Sequence, residues 1–347
     1  MKVIRKILFL SYLISKINWI ALFRLLNSDS KYVVLVCSPY PKRIRGYLSG
    51  AILENDFALL NAMIQSNTAF RLVLGADKLL EVSEKTVIFN ISDLFDVYSG
   101  LNYADSFFNF SKKLIANNNT LIPELSNSVF WENKIYMHQQ FDKLGLPNPV
   151  TYCVDADTKP PKASELRFPV LLKPAHSSGS TGIIKINTEA EYNSVVSETT
   201  HAEYLIQYWI DMRRDLRLIY IGDELVLHYW RINNSAEWSP TSTGHGSSVD
   251  FESLPTQWMP FLFDQYKKLN IRTGAFDVTW LNDDLDTPPL ILEVSPSYMP
   301  NPAPSEKWKN KSYSTFKKAI FGKDVYYKQY IDLVFELKTK LIKQYIN

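Results

Sequence analysis

The sequence contains little cysteine and little net charge. Its only cysteines, Cys37 and Cys153, lie far apart with neither a CxxC pair nor a zinc-binding spacing, which excludes a disulfide framework and fits a reducing compartment. The formal net charge of +2 is too small to indicate a nucleic-acid binder, so we expect no nucleic-acid partner. No internal repeat or low-complexity stretch is visible. With 46% hydrophobic residues the chain can build a buried core, which excludes wholesale disorder.

The sequence also lacks an uninterrupted run of about 20 apolar residues, the length that a membrane-spanning helix needs. Its nearest approach, residues 7–14, follows a basic start, but Lys16 and Arg24 interrupt the continuation and no small-residue cleavage site follows. Residues 1–26 are therefore predicted to form a basic, apolar N-terminal helix that either packs on the protein or lies on a membrane surface. We expect a cytoplasmic protein, either free or peripheral on the inner face of the membrane.

Strands and helices alternate over the next hundred residues. Short β-branched apolar runs predict strands, and segments with helical apolar spacing predict helices. The predicted strands are residues 31–38, 71–74 and 86–91, and the predicted helices are residues 53–66 and 105–116. Alternation of this kind is typical of an α/β layer with a parallel sheet.

Beyond residue 123 the predicted strands follow one another more closely. A helix over 133–144, closed by Gly145 and Pro147, precedes six strands between residues 150 and 231, and the two-residue connection Gly222-Asp223 indicates an antiparallel hairpin. A helix at 260–269, strands at 275–280 and 290–294, and a helix from about 323 to 345 complete the chain. The predicted regions are an N-terminal helix (1–26), an α/β domain (27–122), a second domain (123–305) and a C-terminal helical segment (306–347).

Residues 169–186 (PVLLKPAHSSGSTGIIKI) combine a strand that ends in Lys173 with a Ser/Gly loop. The backbone N–H groups of such a loop can close over phosphate oxygens, and the lysine adds a point charge. The stretch lacks the GKS/T ending of a Walker loop and is not a dinucleotide fingerprint. The alternative interpretation is an ordinary hairpin with a polar turn.

Two further stretches bear on a nucleotide site. In residues 204–217 (YLIQYWIDMRRDLR), an extended backbone can read an adenine edge and a carboxylate can accept from ribose hydroxyls, although a core strand with a solvated charge cluster is the alternative. Asp277 and Glu293 lie within apolar strands, where an isolated carboxylate is costly to bury. Two such carboxylates on neighbouring strands predict a Mg²⁺ site, with salt bridges or strand ends near water as the alternative.

Taken in order, these motifs resemble the ATP-grasp superfamily, which includes D-alanine–D-alanine ligases, glutathione synthetases and the ligases that add glutamate to a ribosomal protein. The resemblance covers about residues 120–302 and rests on Asn133-Lys134, GLP, PVLLKPAHSSGSTG, YLIQYW, DLR, FDV and LEVSPS. It implies an α/β fold in which an N-terminal parallel α/β domain precedes two α+β subdomains that enclose the nucleotide. It also implies a ligase that uses ATP and Mg²⁺ to join a carboxylate to an amine through an acyl-phosphate.

The resemblance implies a role for each matching residue. Lys134 and Lys173 correspond to the lysines that hold the ATP phosphates, and Arg217 and Arg231 to the catalytic positive charge near the phosphates and the acyl-phosphate. The remaining cofactor-binding residues form a mobile loop, an adenine pocket and a ribose contact: Ser177, Ser178, Gly179, Ser180, Thr181 and Gly182; Gln207, Tyr208, Trp209 and Ile210; and Asp215. The metal ligands would be Asp277, Glu293 and Ser295.

Two departures from the family pattern leave the metal site and the substrate open. Ser295 stands where the family usually has asparagine and is a poorer metal ligand, with Asn301 as a candidate replacement. The stretch WSPTSTGHGSS lacks the arginine of the glutamate-adding ligases, which argues against the same acidic acceptor. His245 within that stretch lines a substrate pocket or is a surface histidine.

Three other functions remain open at this point. The same fold can phosphorylate a small molecule, a degenerate site marked by Ser295 can bind ATP without turnover, and the basic N-terminus can belong to a membrane-associated assembly factor. For a ligase, the expected substrates are an amine and a small-molecule or saccharide carboxylate, with a cell-surface polysaccharide precursor or a small peptide as candidates. A homodimer is a further expectation, because many members of the family dimerise.

Overall fold

The computed structural model describes residues 2–38, 53–91, 103–177, 179–235, 238–243, 246–303 and 325–346. Ser178 and His245, both named in the site predictions, lie outside these ranges. The chain divides into two compact units. One comprises Met1–Ser128 and the described residues from Met299 onward, and the other comprises Val129–Tyr298.

The described residues form helices and strands in the alternating order that the sequence predicts. The helices are α1 (Lys2–Ser15), α2 (Trp19–Leu25), α3 (Leu53–Gln65), α4 (Ala76–Leu79), α5 (Tyr103–Ala116), α6 (Leu125–Ser128), α7 (Lys134–Leu144), α8 (Glu189–Glu198), α9 (Met259–Lys268) and α10 (Val325–Ile346). The strands are β1 (Tyr32–Val36), β2 (Arg71–Leu74), β3 (Thr86–Ile88), β4 (Thr120–Ile122), β5 (Thr151–Val154), β6 (Val170–Pro174), β7 (Ile184–Ile186), β8 (Tyr204–Tyr208), β9 (Arg214–Ile221), β10 (Glu224–Ile232), β11 (Ser248–Asp250), β12 (Thr273–Thr279) and β13 (Leu290–Ser295).

The first unit is built on a four-stranded parallel sheet in the order β2-β1-β3-β4. Val33, Val34, Leu35 and Val36 of β1 are all buried, as expected for an inner strand covered on both faces. α1, α2 and α10 pack against α3. The predicted parallel α/β layer is thus confirmed.

The N-terminal segment differs from the single helix predicted for residues 1–26. It forms two helices, α1 and α2, that meet at a bend of 63°. Asn18 begins α2, because its side chain accepts a hydrogen bond from the N–H of Ala21 at 3.0 Å and so satisfies a donor at the new helix start. Among the described residues, no single helix has the length and apolar composition needed to cross a membrane. α1 and α2 together meet both criteria, but only as a bent pair.

The second unit contains two antiparallel sheets, a four-stranded one in the order β5-β8-β6-β7 and a five-stranded one in the order β11-β10-β9-β12-β13. The predicted hairpin is present, with β9 and β10 joined through Gly222-Asp223. Two α+β subdomains of this kind, after a parallel layer, are the architecture predicted from the sequence.

One face of the five-stranded sheet forms the core of the second unit. Leu218, Trp230 and Phe276 from this face share a buried cluster with Phe141 of α7 and Tyr266 of α9. Replacing a buried phenylalanine of such a cluster by alanine costs about 3–5 kcal/mol. Because successive side chains of a strand point to opposite faces, the polar residues between these apolar ones lie on the other face of the sheet.

Candidate functional site

A row of charged side chains crosses the polar face of the five-stranded sheet. Arg217 on β9 lies opposite Asp277 on β12, and Asp277 lies opposite Glu293 on β13. In the neighbouring row, Asp215 on β9 lies opposite Arg231 on β10. Since cross-strand neighbours have Cβ atoms about 5 Å apart, the register alone brings the predicted catalytic and metal-binding residues together.

Four of these side chains form a buried ion-pair network. Arg217 donates from Nε to Oδ1 and from Nη2 to Oδ2 of Asp277, both at 2.7 Å. Arg231 donates from Nη2 to Oδ2 of Asp277 and from Nε to Oδ1 of Asp215, both at 2.8 Å. Burial alone would raise the pKa of Asp277, but the two guanidinium groups outweigh it and lower that pKa to about 2. Asp215, predicted to meet the ribose, is 2% exposed and faces Arg231.

The predicted metal ligands adjoin this network. Glu293 lies beside Asp277 and is half-buried, and Ser295 lies two residues further along the same strand. Oδ2 of Asp277 accepts two hydrogen bonds and Oδ1 accepts one, which leaves Oδ1 able to contact a further group. Ser295 donates from Oγ to the carbonyl oxygen of Ser297 at 2.5 Å.

The described residues contain no cluster of three or more His, Cys, Asp or Glu side chains that could hold a metal ion. The two neighbouring carboxylates nevertheless fit Mg²⁺, which is commonly bound by one or two carboxylates, waters and substrate phosphates. Glu293 and Oδ1 of Asp277 would hold the ion, with the remaining ligands supplied by water and phosphate.

Two lysines lie near this carboxylate pair. Lys134 is the first residue of α7, whose start is fixed by Asn133 accepting from the N–H of Tyr136 at 3.2 Å. Its ammonium donates to the carbonyl oxygen of Ser177. Lys173, on β6, has its pKa lowered to about 8 because burial disfavours its charge, an effect that Glu293 opposes and Lys134 reinforces. Two ammonium groups that repel each other fit a phosphate between them.

The side chain of Gln207, predicted for the adenine pocket, lies against Lys173. Because an ammonium only donates, Oε1 of Gln207 must face Lys173, at 2.6 Å. This orientation directs Nε2 of Gln207 toward Oγ1 of Thr151 at 2.9 Å and Nε2 of His138 at 3.4 Å. Burial lowers the pKa of His138 to about 4, so its ring is neutral at pH 7 and its Nε2 can accept. Sequence reasoning missed His138, because a single histidine inside a helix carries no spacing signal.

The predicted phosphate loop connects β6 to β7. Gly179, Ser180 and Gly182 all have left-handed backbone conformations, with φ of 59°, 64° and 78°. Successive N–H groups in such turns can point toward one anion. Ser177 ties the start of the loop to Lys134, and Thr181 is exposed.

The end of β8 and the residues after it carry the rest of the predicted adenine pocket. The backbone N–H groups of Tyr208 and Trp209 already donate within the protein, to the carbonyl oxygens of Val150 and Pro169 at 2.9 and 3.2 Å. The indole Nε1 of Trp209 is buried and has no hydrogen-bond partner among the described residues. The ammonium of Lys185 lies 3.7 Å from the centroid of the Trp209 ring. The unpaired Nε1–H donor of Trp209, next to the half-buried Ile210, fits a nucleotide base that offers a hydrogen-bond acceptor.

Comparison with known proteins agrees with the fold. Residues 132–253 match the family model of the RimK-like ATP-grasp domain. The fold is similar to that of D-alanine–D-alanine ligase from Bacillus anthracis complexed with ATP, with a TM-score of 0.55 and 12% identity over 91% of this chain and 99% of that one. The chain has the ATP-grasp fold. The fold predicted from the sequence motifs is therefore confirmed.

Two other solved structures have a similar fold. D-cycloserine synthetase DcsG has a TM-score of 0.52 at 11% identity, over 76% of this chain and 91% of that one. The ATP-grasp ligase PsnB complexed with minimal precursor has a TM-score of 0.50 at 13% identity, over 91% of this chain and 99% of that one. No curated protein matches the sequence. At these identities the likeness concerns the fold, and the matched domain model includes Lys134, Lys173 and Arg231 but ends before Asp277.

Proposed function

We propose that this ATP-grasp protein is an ATP-dependent ligase that joins a carboxylate to an amine through an acyl-phosphate. The proposal rests above all on the paired lysines. The backbone N–H of Lys134 donates to the carbonyl oxygen of Ala175, two residues after Lys173, at 3.2 Å, and Oε2 of Glu132 lies 3.9 Å from the Lys134 ammonium. Burial and the charge of Lys134 both oppose the charge on Lys173, whose pKa is lowered to about 8. Positive charge that burial disfavours on its own becomes favourable when a polyphosphate binds.

The side chains at the site match the steps of such a reaction. Lys134 and Lys173 would bind the phosphate oxygens, and the loop from Ser177 to Gly182 would exclude water by closing over them. A bound Mg²⁺, held by Glu293 and Asp277, would neutralise further phosphate charge. The carboxylate oxygen of the substrate then bonds to the γ-phosphorus as ADP leaves with the bridging oxygen.

The second step needs positive charge near the acyl carbon. The amine nitrogen bonds to that carbon, the carbon–oxygen bond to phosphate breaks, and the nitrogen loses a proton. Arg217 and Arg231 use Nε and Nη2 in their bonds to Asp215 and Asp277, so Nη1 of each is the donor left for the substrate among the described contacts. Because the carboxylates hold both guanidinium groups in place, little reorganisation is needed when negative charge develops.

The proposed carboxylate substrate is a sugar acid within a cell-surface polysaccharide precursor. A small peptide, reacting through a carboxylate of a side chain or of its terminus, is the other candidate. The absence of arginine from the described part of the stretch after β10 argues against a strongly acidic acceptor. A second candidate function is ATP binding without turnover. It is favoured by Ser295, whose hydroxyl donates to Ser297 where the family usually supplies an asparagine oxygen to the metal.

Trapping with hydroxylamine tests the proposal. Purified protein is incubated with Mg·ATP, hydroxylamine and a panel of uronic acids, amino acids and peptides, and both ADP and hydroxamate are measured. We expect hydroxamate that depends on one carboxylate class and is absent with Lys173→Met. Lys143→Met, which removes an exposed lysine from α7, is the matched control. A phosphorylated product that yields no hydroxamate would indicate a kinase, and ATP binding without ADP release would indicate the second candidate.

A further inference from the structure

The first 26 residues expose an unusual share of the apolar surface. Among the described residues fourteen large apolar side chains are exposed, and eight of these belong to this segment: Ile7, Leu8, Leu10, Ile14, Trp19, Ile20, Phe23 and Leu26. The other six, including Leu74 and Val150, are scattered along the rest of the chain. Single exposed apolar residues are normal on a protein surface, but a continuous group of them marks an interaction site.

The segment is anchored to the first unit by its opposite face. Leu13 and Ile17 are buried, as are Leu22 and Leu25 of α2. Tyr12 donates from its hydroxyl to Asp332 on α10 at 2.9 Å, and Lys16 forms an ion pair with the same carboxylate. The exposed residues therefore belong to a docked helix pair with two distinct faces.

The exposed face continues around the bend between α1 and α2. Ile7 and Leu8 of α1 are 57% and 64% exposed, and Ile20 and Phe23 of α2 are 85% and 68% exposed. Trp19 stands at the corner, where its indole Nε1 donates to the carbonyl oxygen of Ile14 at 3.0 Å. Its ring lies 6.5 Å from that of Phe23. Tryptophan at such a position is typical of residues that enter a membrane interface.

The positive charge of the segment indicates which kind of partner binds it. Residues 1–28 contain five basic residues and no acidic one, the basic residues being Lys2, Arg5, Lys6, Lys16 and Arg24. A second copy of the chain would bring like charges together across a symmetric contact. An anionic lipid surface offers the opposite charge, and each basic residue near it contributes roughly 1 kcal/mol if its charge is not already paired, as that of Lys16 is with Asp332.

From this combination we infer that α1 and α2 form a docking surface for an anionic phospholipid bilayer. The helices have 14 and 7 residues and are bent by 63°, so they lie along the interface with Ile20 and Phe23 inserted among the acyl chains. The chain as a whole would thereby be held at a lipid surface, whatever substrate it takes.

Vesicle sedimentation with the full-length chain tests the inference. Vesicles of phosphatidylcholine alone are compared with vesicles that contain about one-third phosphatidylglycerol, at low and high salt. We expect sedimentation with the anionic vesicles that weakens with salt, and little with the neutral ones. The double variant Ile20→Ser/Phe23→Ser should bind at least about tenfold more weakly, because it removes inserted apolar area.

Matched controls separate the alternatives. Val150→Ser/Leu281→Ser removes two exposed apolar side chains of the second unit and should bind vesicles like the unmodified chain. All substituted side chains are exposed, so far-ultraviolet circular dichroism should be unchanged. Absence of sedimentation with anionic vesicles, or equal sedimentation of the Ile20/Phe23 variant, would overturn the inference. A dimer in gel filtration that this variant abolishes, without any vesicle binding, would assign the surface to a second copy.

Discussion

At the scale of single residues, Lys173 stands out because it is a half-buried cation whose environment opposes its charge. Burial lowers its pKa from 10.5 to about 8, and Lys134 acts in the same direction. Below pH 8 the lysine is protonated in both the folded and the unfolded chain, so the folded protein bears the full free-energy cost of burying the charged ammonium. Between pH 8 and 10.5 the folded chain loses this proton first, and the free energy of unfolding rises with pH.

Lys173→Met should therefore raise stability while it abolishes ATP-dependent turnover. We expect the variant to unfold at higher urea concentration than the unmodified protein at pH 7, by up to about 3 kcal/mol, and the difference to shrink as pH rises from 8 to 10.5. Lys143→Met should show neither effect. A Lys173→Met variant that is less stable at pH 7 would mean that the bond to Gln207 outweighs burial.

The sequence predicted the members of the site at this scale but not their contacts. Lys134, Lys173 and Glu293 occur in recognisable motifs, and the structure brings them together. The bonds of Asp277 to Arg217 and Arg231 depend on which residues of β9, β10 and β12 lie opposite one another. A slip of one residue in that register would move every side chain to the other face, and no local pattern shows the register.

At the scale of elements, the loop between β6 and β7 contains two glycines that differ in their surroundings. Both have positive φ, 59° at Gly179 and 78° at Gly182. A Cβ atom at Gly179 would meet nothing within 4 Å, whereas one at Gly182 would lie 2.8 Å from Cγ of Pro174. Only the second position combines backbone strain with a collision.

This difference predicts unequal effects of the two alanine substitutions. Gly179→Ala should lower the free energy of unfolding by about 1 kcal/mol through backbone strain alone. Gly182→Ala should lower it by more and also raise the KM for ATP, because the loop must shift away from Pro174. Urea unfolding and initial-rate kinetics of both variants provide the measurement, and equal effects would contradict the role of the Pro174 contact.

Elements with strong periodicity were predicted well, and short or polar ones were not. α3 and α7 lie within a residue or so of their predicted bounds, because apolar spacing and caps define them. α8 was not predicted, since Tyr192 is its only buried residue. β4 and β11, with three residues each, were not predicted either. The bend at Asn18 was missed because the apolar residues on either side continue one another in sequence.

At the scale of the whole molecule, tryptophan fluorescence reports mainly on one of the two units. The chain has eight tryptophans, and six of them lie in Val129–Tyr298: Trp131, Trp209, Trp230, Trp238, Trp258 and Trp280. All of the proposed nucleotide-binding residues lie in the same unit. A ligand that binds there should therefore shift the unfolding transition that fluorescence detects.

Mg·ATP should raise the midpoint of that transition. At a concentration of 100 times the Kd, a ligand specific for the folded chain adds about 2.7 kcal/mol to the free energy of unfolding. AMP, which lacks the β- and γ-phosphates, should add much less, and Lys173→Met should reduce the effect of ATP but not that of AMP. Equal stabilisation of Lys173→Met and Lys143→Met by ATP would argue against phosphate binding by Lys173.

The buried network of two arginines and two aspartates also limits how the chain can change over generations. Its four charges sum to zero, and Asp215 and Asp277 are almost entirely enclosed. Loss of one partner leaves a buried charge unpaired and lowers the free energy of unfolding by about 3–5 kcal/mol. This is a large part of the total free energy of unfolding, which is usually about 5–15 kcal/mol. For stability alone, apolar replacement of both partners of a pair is far better tolerated. Positions 215 and 231 should therefore change together in evolution, because a chain with only one of them substituted would be strongly destabilised.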